Sequence, residues 1–232
     1  MRNKFKLISC IFSTLFSLNN FALAQSDVDI ADFAKAAKFN DVSTVRTLVS
    51  KGVSPNSLDA QGELMLNLAI KDNSEDVIAF LVADKATDVD ISNKFGETPL
   101  MIASIDGNLP LVKNLIQQQK AQINHIGWTP LHYACAKGHL EVAQYLIANG
   151  AVVDAHSPAN TTPLMMAVQS GNEVLVKLLL DNGADLKIRN TAGFSAIDVA
   201  DLFDKSDIKA GLMSRWQKLY KEPYPGGPKP SK

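Results

Sequence analysis

Gly127-Trp128-Thr129-Pro130-Leu131-His132-Tyr133-Ala134, followed by Gly138-His139 and closed by Gly150-Ala151, is the stretch against which the rest of the chain aligns. The same frame returns 33 residues later at Asn160, with Thr162-Pro163-Leu164, Ala167, Gly171 and Gly183-Ala184-Asp185. It returns 33 later again at Gly193, with Ser195-Ala196-Ile197 and Ala200. Upstream, Gly96-Glu97-Thr98-Pro99-Leu100, Ala103 and Gly107-Asn108 lie 31 residues before Gly127, and Gly62, Leu66, Ala69 and Asn73 lie 34 before Gly96. Phe33, Ala36, Asn40, Leu48 and Gly52 begin the series. Self-similarity at such a period marks a chain built of stacked units, none of which buries its apolar face alone.

Each recurring residue has a local task. Pro99, Pro130 and Pro163 fall in the first turn of a helix, where a missing N–H costs nothing. Thr98, Thr129 and Thr162 precede them as hydroxyl caps. Leu100, Leu131 and Leu164 recur three residues before Ala103, Ala134 and Ala167, which makes one buried stripe whose alanines let neighbouring helices approach closely. Gly107, Gly138 and Gly171 end these helices in the left-handed conformation. Second helices follow, as at Glu141–Ile147 and Glu173–Leu180. Repeat two has Leu64-Met65-Leu66 in place of Thr-Pro-Leu, which leaves its helix start less well defined.

The Thr-Pro-Leu-His-x-Ala run at this period resembles the ankyrin-repeat family. The resemblance implies an all-α repeat solenoid, each copy a helix-turn-helix with a β-hairpin finger. About six copies are expected over 25–213, at roughly 28–58, 59–92, 93–123, 124–156, 157–189 and 190–213, with divergent copies capping the ends. It also implies that the imidazole of His132 bonds to Thr129 and to loop backbone, and that His139 is structural.

The remaining segments read differently. Arg2, Lys4 and Lys6 precede an apolar run from Leu7 to Leu18, and Ala22-Leu23-Ala24 supplies a small-x-small cleavage site, so 1–24 is expected to be a signal peptide. The run is too short to span a bilayer as a helix. Leu7-Ile8-Ser9-Cys10 has the letters of a lipoprotein box, but the apolar run continues past Cys10 and the Ala-Leu-Ala site follows it. Cleavage after Ala24 would deliver a chain starting at Gln25 to the periplasm or beyond. Residues 214–232 combine Pro223, Pro225, Gly226, Gly227, Pro228 and Pro230 with five basic side chains, and read as a disordered tail with, at most, a short helix through Trp216–Tyr220. Trp216, Tyr220 and Tyr224 among lysines would suit an anionic lipid or cell-wall surface, or serve only to solubilise.

Charge narrows the partner. The processed chain holds 20 basic and 24 acidic side chains, a net charge of −4, and its body over 25–213 stands at −8. An acidic body argues against nucleic acid, which needs a basic face. Only Cys135 survives processing, so no internal disulfide is possible, and its small-residue slot in a first helix suits a buried, inert thiol.

No catalytic fingerprint occurs: there is no Gly-x-Ser-x-Gly elbow, no His-Glu-x-x-His, no phosphate loop and no dinucleotide motif. The chain is therefore not expected to be an enzyme, and no cofactor is expected. His125 and His156 fall near finger tips with Asp154 close by, but nothing fixes a third ligand, so no metal is expected.

The resemblance instead points to binding on the concave face made of finger tips and exposed first-helix positions. That frame places Phe95, Glu97, Ile105 and Asp106 of repeat three and His125, Ile126, Trp128, Tyr133 and Lys137 of repeat four on it. Gln61, Glu63, Lys71 and Asp72 join them from repeat two, with Gln169, Ser170 and Phe194 further on. Phe95, Ile105, Ile126 and Trp128 are apolar where water is expected, the composition of a binding hot spot. Packing against neighbouring fingers is the competing reading. The expected function is that of a monomeric scaffold or accessory protein that binds another protein. The alternative is an immunity-type inhibitor of a toxin or secreted enzyme, whose capture an acidic body would speed.

Overall fold

A computed structural model describes residues 27–228, so the expected signal peptide, 1–24, lies outside the described residues. Twelve helices occupy the described residues and form six pairs. The chain divides after Gly96 into two compact units.

The first unit holds α1 (27–38), α2 (Val42–Ser50), α3 (Met65–Lys71) and α4 (Glu75–Ala83). Phe33, Ala36, Ala37, Val45, Met65, Ala69, Val77 and Leu81 form its dry interior. Polar clamps tie one pair to the next. The Asn40 side chain accepts from the N–H groups of Asp76 and Val77, and the Ser74 hydroxyl donates to the Lys38 carbonyl. The N–H groups that open α4 thus find their acceptor in the preceding repeat, which stabilises both at once.

The start of α3 is better fixed than its sequence suggests. Leu64 offers no side-chain cap, but the Glu63 carboxylate accepts from the Leu64 N–H, Asn67 and Asn93, and pairs with Lys71. Burial works against the charge on Glu63, yet these bonds outweigh it and hold the carboxyl below its usual range. Glu63 is therefore buried, not part of an exposed face.

The second unit holds α5 (Pro99–Asp106), α6 (Leu109–Gln117), α7 (Pro130–Lys137), α8 (Leu140–Ala148), α9 (Pro163–Ser170), α10 (Glu173–Asp181), α11 (Ala196–Leu202) and α12 (Ser206–Tyr220). First helices pack in sequence, α5 on α7, α7 on α9 and α9 on α11, while α6, α8 and α10 form the second row. Each proline opens its helix as the sequence requires. The stripe of Leu100, Ala103, Leu131, Ala134, Leu164, Ala167, Ile197 and Ala200 is fully buried between neighbours. The turns after the first helices lock each copy to the one before it. His139 donates from Nε2 to the Ile105 carbonyl, and Asn172 donates to the Gly138 carbonyl. Gly107 must be glycine for this close approach, because a Cβ there would lie 2.6 Å from the His139 ring.

The fingers are hairpin turns without a ladder. Three of them close by a cross-turn bond: Asp59 N–H to the Glu63 carbonyl, Ser157 N–H to Thr161, and Asn190 N–H to Phe194. The expected β-hairpins reduce, among the described residues, to a single isolated bridge between Leu58 and Leu64. The Asp59 and Asn190 side chains accept the N–H groups of their own turns, so local side-chain bonds supply what a ladder would.

The tail is the main correction. Residues 214–228 are not disordered: α12 runs through Ser214 to Tyr220, and the boundary placed at 214 cuts across it. Ile208, Leu212 and Trp216, spaced by four, form one buried stripe on α12, which packs on α11. Arg215 donates to the Leu180 carbonyl and pairs with Asp181, and the Tyr220 hydroxyl donates to Asp185. Beyond Lys221, residues 222–228 take no regular structure but fold back against repeat six, held through Tyr224.

Candidate functional site

The first-helix slot three residues after the cap holds methionine in repeats three and five, Met101 and Met165, and a polar side chain in repeats four and six. In repeat four it holds His132, which is wholly buried. The Thr129 N–H donates to its Nδ1 at 3.2 Å, so the ring proton sits on Nε2, which donates to the Thr161 carbonyl at 2.9 Å. The bonds that the family resemblance implies for this histidine are present. Burial pushes its pKa down to about 4, because a charged imidazole here would lack water. His132 is thus a neutral strut between repeats four and five.

On the outer side of this strut lies a short chain of contacts. Trp128 meets the His132 ring edge-on at 5.3 Å and the Tyr133 ring at 6.4 Å. The Tyr133 hydroxyl donates to Glu97 at 3.1 Å, and burial together with the neighbouring carboxylate pushes its pKa up. Trp128 remains 37% exposed, so part of the indole packs on its own repeat and part faces solvent. Ile126, two residues earlier at the finger tip, is fully exposed.

The other expected site residues are distributed as follows. Asp106 and Lys137 are exposed at the ends of α5 and α7. Ile105 is half-buried and gives its carbonyl to His139. His125 is half-buried and bonds through Nε2 to the Gln122 carbonyl. Phe95 belongs to the first unit, where it is exposed with the Lys94 ammonium 5.0 Å from its ring. Within the second unit the structure therefore joins Glu97, Trp128 and Tyr133 by direct contact.

No group of three or more His, Cys, Asp or Glu side chains among the described residues is placed to hold a metal. The Cys135 thiol is completely buried, and burial raises its pKa, which keeps it protonated and unreactive. No helix among the described residues is long and apolar enough to cross a membrane. The residues that sequence reasoning missed are Arg189, Ser195 and Asp198 of repeat six, which hold Tyr224; the side-chain partner lies 26 or more residues away in each case.

Comparison with known proteins agrees with this architecture. The family model for ankyrin repeats (3 copies) matches residues 33–125, 85–157 and 103–190. The chain belongs to the ankyrin-repeat family. The putative ankyrin repeat protein YahD of Escherichia coli strain K12 is 27% identical over 179 residues, covering 73% of this chain and 88% of YahD. The mouse B-cell lymphoma 3 protein homolog is 31% identical over 179 residues, 74% of this chain and 40% of that protein. Human transient receptor potential cation channel subfamily A member 1 is 26% identical over 161 residues, 65% of this chain and 14% of that protein. The chain thus spans most of the bacterial relative and a minor part of the two mammalian ones. Ankyrin repeats are protein-interaction modules, and this chain is built as one.

Proposed function

We propose that this chain is an exported scaffold or accessory protein that works as a monomer, without chemistry of its own, by docking another protein on the face made of finger tips and first helices. The observation that carries the reading is the pair Ile126 and Trp128: one side chain wholly in water, the other half-anchored on a rigid base of His132 and Tyr133. A large apolar side chain at a finger tip gains nothing in the free protein, whereas an anchored aromatic beside it, with Glu97 held by the adjoining Tyr133, supplies a preorganised contact. Export is supported by the basic n-region, the apolar run and the Ala22-Leu23-Ala24 site.

The test is affinity capture from periplasmic extract with wild-type bait and with Ile126→Asp bait, read by mass spectrometry, with N-terminal sequencing of the native protein. The expected result is a start at Gln25 and a partner held by wild type and lost by the variant at unchanged melting temperature. A partner retained equally by both baits would remove the site. A native chain still beginning at Met1 would remove the export.

The net charge of −8 over 25–213 supports a second reading, an immunity-type inhibitor of a basic toxin or secreted enzyme. On that reading the captured partner is a basic enzyme whose activity the chain abolishes at equimolar ratio.

A further inference from the structure

Residues 222–228 do on repeat six what a finger does on the repeat before it. In the interior of the stack, the slot residue His132 bonds to the backbone at Thr161, 29 positions on, and a Cβ on Gly127 would touch Pro158. In repeat six the same slot holds Asp198, and 29 positions beyond it Gly227 passes against the carboxylate, while Pro228 covers Gly193. Among the described residues, 222–228 stand where the finger of a following repeat would.

The attachment is built from specific groups. The Tyr224 hydroxyl donates to Asp198 Oδ2 at 2.5 Å and lies 2.6 Å from the Ser195 hydroxyl, which donates to it in turn. Arg189 reaches the same hydroxyl at 3.3 Å and the Gly226 carbonyl at 2.9 Å, and also pairs with Asp198. The Tyr224 ring meets the buried Trp216 edge-on at 5.0 Å. Gly227 has to be glycine, because a Cβ would lie 2.5 Å from the Asp198 carboxylate. The segment itself, Pro223-Tyr224-Pro225-Gly226-Gly227-Pro228, has prolines that limit its freedom when unbound, so docking costs it little entropy. It leaves α12 at Lys221, which takes the left-handed conformation.

We propose that repeat six carries a docking site for an extended, proline-flanked tyrosine segment, formed by Arg189, Ser195, Asp198 and the edge of Trp216, and that the chain's own residues 222–228 fill it as a reversible strap. A partner segment of the same chemistry competes with the strap for the site. Arg189 reads a backbone carbonyl, the Asp198–Ser195 pair reads the phenolic hydroxyl, and Gly193 leaves room for a proline ring. The site shares no residue with the Ile126–Trp128 surface, so either can fail without the other.

The test follows Trp216 fluorescence, excited at the red edge, in full-length chain carrying Trp128→Phe, which leaves Trp216 as the sole tryptophan. Tyr224→Ala should shift its emission to the red and raise its quenching by acrylamide. A synthetic peptide of residues 221–228 should reverse both changes in this variant. A short tether corresponds to an effective concentration of the order of millimolar, so the peptide is titrated to about 10 mM. The peptide with phenylalanine for tyrosine should require roughly tenfold more, the worth of about one hydrogen bond. Because Tyr224→Ala could loosen α12 itself, Gly227→Ala provides a second release that leaves Tyr224 and the helix intact. Unchanged Trp216 emission in both variants overturns the strap. Emission that stays red-shifted at 10 mM peptide, with native circular dichroism, overturns the docking site.

Discussion

Repeats four and six place different side chains in one slot. His132 and Asp198 occur 66 residues apart, two periods, at the same position of the first helix. His132 is a neutral donor that reaches forward to a backbone carbonyl of the next finger. Asp198 faces the 222–228 segment and is an acceptor that receives the Ser195 N–H, Arg189 and the Tyr224 hydroxyl. The difference teaches what a polar side chain in the slot does: in both repeats it joins the repeat to what lies on its C-terminal side. In repeat four that is backbone, which an uncharged donor reaches, while Met101 and Met165 fill the slot of repeats three and five without a donor. In repeat six it is the 222–228 segment, held by side chains, and a carboxylate with a charged partner holds harder.

The largest effect expected from breaking the comparison is at His132. His132→Ala removes a fully buried ring and leaves the Thr129 N–H and the Thr161 carbonyl short of a partner. The cost is about 4 kcal/mol, cavity and orphaned groups together, read as a lower midpoint in urea unfolding. A loss below about 1 kcal/mol would mean that water replaces the ring and that the strut is dispensable.

The same histidine makes stability depend on pH. Its folded pKa of about 4 lies below the unfolded value of 6.5, so between these values the unfolded chain binds the proton more readily. Its stabilising contribution is complete above pH 6.5 and is lost as pH falls toward 4, by roughly 3 kcal/mol at 1.36 kcal/mol per unit. Carboxylates titrate over part of this window too, so the measurement is the difference between wild type and His132→Asn. Parallel loss of stability in the two proteins would assign the acid sensitivity elsewhere.

The same contrast explains how much could be read in the sequence. Pro130, Leu131, Ala134 and Gly138 act within one helix, and a pattern with a period of 33 exposes them directly. Their fold class follows from local rules and holds in the structure. Glu63 reads from its repeat position as part of the exposed concave face, yet it is buried. Its burial depends on Asn93, 30 residues on, which no window on repeat two contains. The tail misled through composition. Ile208, Leu212 and Trp216 carry a helical stripe, but the prolines and glycines beyond Lys221 dominate the reading of that end. What orders them is Asp198, 26 residues back from Tyr224. Trp128 falls between the two readings the sequence left open, since its ring packs on His132 and Tyr133 and still keeps 37% of its surface.

A middle-sized effect is expected at the terminal slot. Asp198→Asn keeps an acceptor for Tyr224 but removes the charge opposite Arg189 and weakens the acceptor for the Ser195 N–H. About 2 kcal/mol is expected from losing charge-assisted bonds at a mostly buried site. Combined with Tyr224→Phe, the double variant should lose about 1 kcal/mol less than the sum of the singles, because the two side chains share one bond. Strict additivity would show that the strap and the slot are energetically separate, and the parallel with His132 would then be geometric only.

The smallest effect is expected at Ile126, and its smallness is informative. Ile126→Ser changes a side chain wholly in water, so unfolding free energy should stay within about 0.5 kcal/mol of wild type. Trp128→Ala, by contrast, removes edge contacts with His132 and Tyr133 and should cost roughly 1–2 kcal/mol. Neighbouring residues of one finger thus separate surface from support. If Ile126→Ser leaves stability untouched and weakens partner capture tenfold or more, the isoleucine is retained for contact. If it destabilises the chain as much as Trp128→Ala, the side chain rests on its neighbours in solution and the finger tip is part of the packing.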